Sequence, residues 1–253
     1  IAMSFEREHN LLAWHKHVLG GAFSSGDPVI NSIATIPSPD GDADETYLCV
    51  KRTINSATKY YLEYFASHWD ENTDDIEDQY YLDCGLSTAS NTSTTPGGFE
   101  HLIGQSVKVL ANGRPIGPYT VSATGSVTLT ASTAPADLAV GLGYTATLES
   151  MNLHRPDFWA RIVNAFVHFI STVSAKAGGS TKTDRDTTTW GQREVGWNFS
   201  GYSVGSATPA QTRVIKVKAE GDHGREVFFK ISHDDPTACT VAGWVMETEE
   251  NKK

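Results

Sequence analysis

Apolar and polar residues alternate along most of this chain with a period of two, in short runs broken by Gly, Pro, Asn, Asp and Ser. A period of two sends successive side chains to opposite faces of a strand, and the interrupting residues supply reversals. The pattern therefore predicts an all-β fold of antiparallel sheets. Residues 4–17 read as two short strands around a turn at Glu8, His9 and Asn10. Residues 29–36 (V-I-N-S-I-A-T-I) predict a strand, followed by an acidic, proline-bounded loop over 37–45. Residues 46–54 and 59–65 predict a hairpin turning at Asn55-Ser56. Together these pieces resemble one antiparallel propeller blade, and residues 80–86 close the region as a further short strand. Residues 87–98, rich in Ser, Thr, Asn, Pro and Gly, read as a linker.

A second unit follows. Residues 106–111 alternate strictly and run into Asn112-Gly113, a strong hairpin signal. Residues 119–122 and 126–129 flank a turn at Thr124-Gly125. Residues 139–148 predict one strand whose Gly141 and Gly143 mark a bulge or a close backbone contact. A small β-barrel or sandwich is expected here. Residues 161–173 fit two patterns. A helical stripe would join Phe158, Trp159, Ile162, Val163, Phe166, Phe169, Ile170 and Val173. A strand would put Ile162, Phe166, His168 and Ile170 on one face and Val163, Ala165, Val167, Phe169 and Ser171 on the other. Enrichment in β-branched and aromatic residues favours the strand. Residues 176–186 read as a mixed-charge loop, 214–220 and 226–232 as a hairpin about Gly221-Asp222-His223-Gly224, and 240–247 as the terminal strand. The expected division is a blade-like region 1–86, a linker 87–98, a barrel or sandwich 99–150, and a terminal β region 151–253 packing back on the first.

Composition narrows the function classes. At 253 residues the chain can bury a sizeable core as one large domain or two ordinary ones. Its 39% hydrophobic content is that of a folded chain and not a disordered one. A formal net charge of -10 argues against gripping nucleic acid over a basic face. Three widely spaced cysteines, with no CxxC pair, argue against a zinc knuckle or disulfide scaffold and fit a reduced assembly environment. No apolar run reaches the roughly 18 residues of a helical membrane span.

Candidate chemistry is sparse. His15 and His17 share one face of a strand, an arrangement that binds zinc when a third ligand joins from His9, His223 or His233; the other reading is a pair of surface or interface histidines. Asp70, Glu71, Asp74, Asp75, Glu77 and Asp78 form an acidic stretch that, through Asp83, holds no Lys or Arg. It lacks the ligand order and central glycine of an EF-hand loop, which favours a solvated loop over a calcium site. His233-Asp234-Asp235 before Pro236 reads as a turn. Cys49, Cys84 and Cys239 read as small buried apolar residues. No nucleophile elbow, dinucleotide fingerprint, P-loop or HExxH motif occurs in a suitable setting. No catalytic residue, metal ligand or cofactor site is singled out, and the chain reads as no enzyme.

The order of several motifs is more informative than any one. Phe5-Glu6-Arg7-Glu8 followed by Ala13-Trp14-His15-Lys16-His17, then Val50-Lys51-Arg52-Thr53-Ile54-Asn55-Ser56 with Tyr60-Tyr61-Leu62-Glu63, resemble in order the opening segment and first hairpin of the tail nozzle proteins of short-tailed phages, also called tail tubular protein B. Tyr81-Leu82-Asp83-Cys84-Gly85-Leu86 is similar to that family's F-x-D-S-G-L strand. His101-Leu102-Ile103-Gly104-Gln105-Ser106-Val107-Lys108-Val109-Leu110-Ala111-Asn112-Gly113 resembles its H-L-E-G-x-x-V-x-V-L-A-D-G signature. Val140-Gly141-Leu142-Gly143-Tyr144 is similar to its V-G-L-P-Y turn, with Gly143 where the family carries proline. The basic run that often precedes the family's next strand is missing around residues 152–160.

The resemblance implies a structural protein of the virion, one subunit of a tail ring that encloses the DNA exit channel, retains the genome and conducts it during ejection. The implied sixfold symmetry, and the implied partners (tail adaptor, tail fibres, passing double-stranded DNA that is not specifically bound, and the host cell surface), come from the resemblance alone. Members are commonly longer, which implies that this chain is the carboxy-terminal part of a subunit or a shortened relative. On this reading the acidic residues Asp70, Glu71, Asp74, Asp75, Glu77 and Asp78 face the channel, where like charge lets DNA slide; an outward solvated loop is the alternative. A different class of function is a tail receptor- or carbohydrate-binding β-module, with Trp14, Trp159, Trp190, Trp197 and Trp244 as stacking platforms.

Overall fold

The computed structural model describes residues 1–6, 11–38, 44–131, 133–151, 158–182, 188–190, 193–194, 210–218 and 226–252. Within them the chain is all-β, every strand pairing is antiparallel, and none of the five sheets closes into a barrel.

Strands β1 (Ala2–Glu6) and β2 (Leu11–His15) form a two-stranded ribbon. Strands β3 (Val29–Pro37), β4 (Asp44–Ile54) and β5 (Ala57–Tyr64) form a three-stranded meander. Asn55 and Ser56 join β4 to β5 with φ of 50° and 60°, the left-handed pair whose twist matches that of a hairpin. Along β4, Leu48, Val50, Arg52 and Ile54 are buried, so this strand turns one face inward and the other to solvent.

Strand β6 (Asp83–Thr88) does not extend that meander. It joins a four-stranded sheet with β7 (Ser106–Ala111), β8 (Arg114–Thr120) and β9 (Leu138–Leu142), in the order β6-β9-β7-β8. The predicted Asn112-Gly113 turn is present, with both residues at positive φ. Strand β9 is buried at every position, and its outer residues Leu138, Val140 and Leu142 share a core with Ile54, Val107, Val109 and Leu102. The meander thus joins this sheet at its turn end, through Ile54 and the partly buried Tyr61.

Strands β10 (Ala146–Glu149), β11 (Phe158–Thr172), β12 (Lys176–Lys182), β13 (Thr188–Trp190), β14 (Arg193–Glu194), β15 (Gln211–Lys218), β16 (Glu226–His233) and β17 (Thr240–Lys252) complete the chain. They make two sheets, β15-β11-β17 and a five-stranded one centred on β16 and β12. The two enclose a core of Val167, Phe169, Ala177, Val217, Phe229 and Ile231.

Several expectations are corrected. Residues 99–150 form no barrel. The strand expected over 139–148 is two strands in two different sheets, β9 and β10. Residues 126–129 form no regular strand; Val127 and Leu129 instead donate backbone hydrogen bonds to Pro96 and Thr94. Residues 176–182 are a strand and not a loop. The segments 214–220 and 226–232 are not a hairpin, since β15 pairs with β11 and β16 with β10 and β12. The ambiguous segment is the long strand β11, as composition favours, but its two faces differ from those that unbroken alternation predicts. A bulge between Ile162 and Asn164 shifts the alternation, so Ile162 is buried with Ala165, Val167 and Phe169. Pairings also run across the expected region boundaries: β6 with β9, and β10 with β16. The turns expected at 8–10 and 221–224, the middle of the acidic loop at 39–43, and residues 152–157 lie outside the described residues.

Candidate functional site

The acidic segment is a folded knob. Trp69 is buried beneath it, and its indole N–H donates to the Asp75 carbonyl at 2.9 Å. The Asp70 carboxylate accepts from the backbone N–H of Asn72 at 2.9 Å and from its side-chain amide at 2.8 Å. These bonds hold the Asp70 carboxyl below its ordinary value. Asp74 accepts from the Asp70 N–H at 2.9 Å, and Ile76–Asp78 form one 3-10 turn. At its far end Gln79 is buried and accepts from the Ala238 N–H at 3.0 Å, which fixes the knob to the terminal region. Asp70, Glu71, Asp74, Asp75 and Asp78 are exposed and Glu77 is half-buried. Among the described residues no Lys or Arg forms an ion pair with any of the six. Composition shows the charge of this segment but not the buried Trp69 that shapes it; the one local signal is a large aromatic directly ahead of the acidic run.

Between the meander and the four-stranded sheet lies a cleft of about 540 Å³, bordered by Leu48, Tyr61, Glu63, Tyr80, Leu82 and Cys84. Its floor is a polar network. Arg52, fully buried, pairs with Glu63 through both terminal nitrogens, and its Nε donates to the Gly20 carbonyl at 3.2 Å. The Gly20 N–H donates to the Asp83 carboxylate at 2.5 Å. Burial pushes the Asp83 carboxyl up, while the Gly20 N–H and the Arg52 charge oppose that shift. Burial pushes the Cys84 thiol up to about 12, which leaves almost no thiolate near neutrality. The Tyr61 hydroxyl donates to the His101 carbonyl at 2.8 Å, and His101 Nε2 donates to the Cys84 carbonyl at 3.0 Å. The acids here are occupied with holding the Gly20 turn and the Arg52 charge. This arrangement joins two sheets, and the Glu63 carboxylate also accepts a hydrogen bond from the Cys84 thiol.

The histidine pair stands apart. The His15 and His17 rings meet edge to face at 4.9 Å, and His17 lies 5.6 Å from the Phe65 ring. Burial and the neighbouring His15 lower the His17 value. The structure does not bring His233 to them: its Nε2 donates to the Thr237 carbonyl at 2.8 Å. His9 and His223 lie outside the described residues, and among the described residues no group of three His, Cys, Asp or Glu is placed to hold a metal. The tryptophans also separate. Trp14 is 69% exposed, Trp159 is half-buried and Trp244 packs against Phe229 in the terminal core. The Trp190 side chain and Trp197 lie outside what is described.

The largest unexplained feature is apolar surface. By register, Tyr60, Leu62 and Tyr64 of β5 stand beside Lys51, Cys49 and Tyr47 of β4 on the outer face of the meander, with Val29, Ala34 and Ile36 of β3 continuing it. Tyr60, Leu62, Tyr64, Val29 and Ile36 are all exposed, and Leu62 is 77% exposed. Strand β3 carries no charged residue over nine exposed positions; its edge is guarded only by the irregularity between Ile30 and Ser32 and by Pro37 at its end. Isolated apolar residues on a surface are ordinary, but a contiguous face of this kind marks a place of interaction.

Comparison with known proteins returns no matching family model and no matching curated protein.

Proposed function

We propose that this chain is a structural subunit of a virion, part of the tail nozzle ring of a short-tailed phage. In that role it encloses the DNA exit channel, retains the genome and conducts it during ejection, with no chemical step. The family and the sixfold symmetry rest on the resemblance of motif order. The observation that carries an assembly role is the uncovered apolar face of the meander together with the exposed ribbon β1-β2. Rings form from two different patches that meet head to tail. The acidic knob suits a wall past which DNA moves, because carboxylates that pair with no Lys or Arg among the described residues prevent the counterion-releasing contacts that make DNA stick. Adaptor and fibre proteins above and around the ring, and the host surface at its tip, are the implied partners.

Mass measurement and negative-stain imaging of the purified chain test this reading. A ring with a central opening is expected, and a monomer or trimer overturns it. Within assembled particles, replacing Asp74, Asp75 and Asp78 by Lys slows DNA ejection if the knob faces the channel; unchanged kinetics place it outside. A second reading, a tail module that binds receptor or carbohydrate, is favoured by the exposed indole of Trp14 and by the exposed Tyr60 and Tyr64 of β5. Glycan-array binding by the isolated chain distinguishes it.

A further inference from the structure

We propose that the cleft between the meander and the four-stranded sheet binds a small organic cation, an apolar body carrying a primary ammonium group, with the ammonium on the Asp83 carboxylate. The proposal goes beyond the ring reading and does not depend on it.

The charge of the cleft is one-sided. Two of the residues that border it, Glu63 and Asp83, are acids, and none is Lys or Arg. Arg52 lies off that border, fully buried, and is already engaged. Both of its terminal nitrogens pair with Glu63, and its Nε donates to the Gly20 carbonyl. The Cys84 thiol gives Glu63 a further hydrogen bond. Arg52 and Glu63 therefore cancel in charge, and Glu63 is well supplied with donors. Asp83 is left uncompensated.

Asp83 also has an oxygen to offer. Its Oδ2 accepts from the Gly20 N–H. Among the described residues its Oδ1 accepts no hydrogen bond, and no Lys or Arg comes within ion-pair reach of either oxygen. Nor is Oδ1 sealed from solvent, since the buried side-chain atoms without a partner are on Gln79 and Thr237. The Arg52 charge acts on Asp83 only from a distance, and the Glu63 charge opposes it. Burial of a carboxylate is costly unless an opposite charge and hydrogen bonds offset it. A cation entering the cleft supplies both to Asp83.

Size and lining specify the rest of the ligand. The cleft has a volume of about 540 Å³, and small-molecule sites run from about 300 to 1,000 Å³. Leu48, Leu82 and Leu86 give it apolar walls, and Tyr64, Phe65 and Tyr80 give it aromatic ones. An apolar body removes these walls from water, and aromatic rings favour a cation over a neutral head group. A primary ammonium carries three donors, so it reaches Oδ1 in a charge-assisted hydrogen bond and keeps others for solvent. A metal ion fits less well, because among the described residues no group of three His, Cys, Asp or Glu is placed to hold one. An anion meets two carboxylates.

The test uses the full chain and probes that share one apolar body: phenethylamine, protonated near neutrality; 2-phenylethanol, neutral; and 3-phenylpropanoate, anionic. Calorimetry and ligand-observed NMR read binding. The amine is expected to bind about tenfold or more tighter than the alcohol, and the anion more weakly than both. Asp83→Asn keeps an acceptor for the Gly20 N–H and removes the charge. It should bring the amine to the affinity of the alcohol and leave the alcohol unchanged. Ser87→Lys places a cation at an exposed position on the cleft's border, where the fold tolerates it, and should weaken the amine about tenfold with the alcohol again unchanged. Melting curves check that each variant is folded, and Ser87→Lys carries the test if Asp83→Asn is not. An amine no tighter than the alcohol, or a preference for the amine that survives in either folded variant, overturns the proposal. Binding of none of the probes overturns it as well. Ring formation, read separately by mass measurement, stands or falls independently of each result.

Discussion

Arg52 and Glu63 form a bidentate ion pair on the inner face of the meander, with the guanidinium fully buried and its Nε held by the Gly20 carbonyl. The pair ties β4 to β5 and, through Gly20 and Asp83, to β6. Removing one partner strands the other away from water. Arg52→Ala should cost about 3–5 kcal/mol in urea denaturation, and the double change Arg52→Met with Glu63→Leu should recover much of that loss.

Asp83 adds a pH dependence of known sign. Burial raises its folded-state value above the ordinary 3.8, so the native state holds the proton more tightly than the unfolded chain does. Its contribution to stability therefore falls as pH rises from 3.8 through the raised value. Asp83→Asn keeps an acceptor for the Gly20 N–H and removes the titration. The stability of Asp83→Asn relative to wild type should climb through that window and level off above it, as read from denaturation at a series of pH values.

Thiol chemistry reports the packing of the cleft and the terminal core. The Cys84 thiol is pushed from 9.0 to about 12, and Cys239 from 9.0 to about 11, each chiefly by burial. At pH 8 the Cys84 thiolate is thus about a thousandfold scarcer than at an ordinary cysteine. Maleimide labelling followed by peptide mass measurement should find Cys84 and Cys239 protected in the native protein and modified after unfolding.

The close approach of β6 and β9 is a steric prediction. A Cβ on Gly85 would meet the Val140 carbonyl at 2.5 Å and the Gly141 Cα at 2.9 Å. The pairing is bulged there, between Asp83 and Leu86, with Cys84 at φ 50°. Gly85→Ala should cost about 1–3 kcal/mol, seen as a lowered melting temperature.

Trp69 governs the acidic knob. Trp69→Ala removes a buried ring and the bond to the Asp75 carbonyl, and should cost about 3–5 kcal/mol. Limited proteolysis should then cut within residues 70–78 faster than in wild type.

Local chemistry made much of this fold legible. Period-two alternation located β3, β4, β5, β7 and β17 within a few residues, because alternation and turn geometry act over neighbouring residues. Asn55-Ser56 and Asn112-Gly113 turn where their tolerance of positive φ places them. The glycines at 141 and 143 signalled a close contact, and Gly141 does lie against Gly85. The charge of Asp70 to Asp78 was equally plain.

The amino-acid sequence alone thus determined the strand content, the local hairpins and the acidity of one segment. Tertiary structure alone decided which strands became neighbours. Residues 139–148 divide between two sheets, 214–220 and 226–232 part company, and one bulge moves Ile162 into the core with Phe169. Arg52, in a run that alternates like any exposed hairpin, became the most buried cation among the described residues, and Trp69 became the anchor of the knob. The reason is physical: a period of two fixes which side chains share a face, but pairing partners and the covering of that face depend on residues far away in the chain.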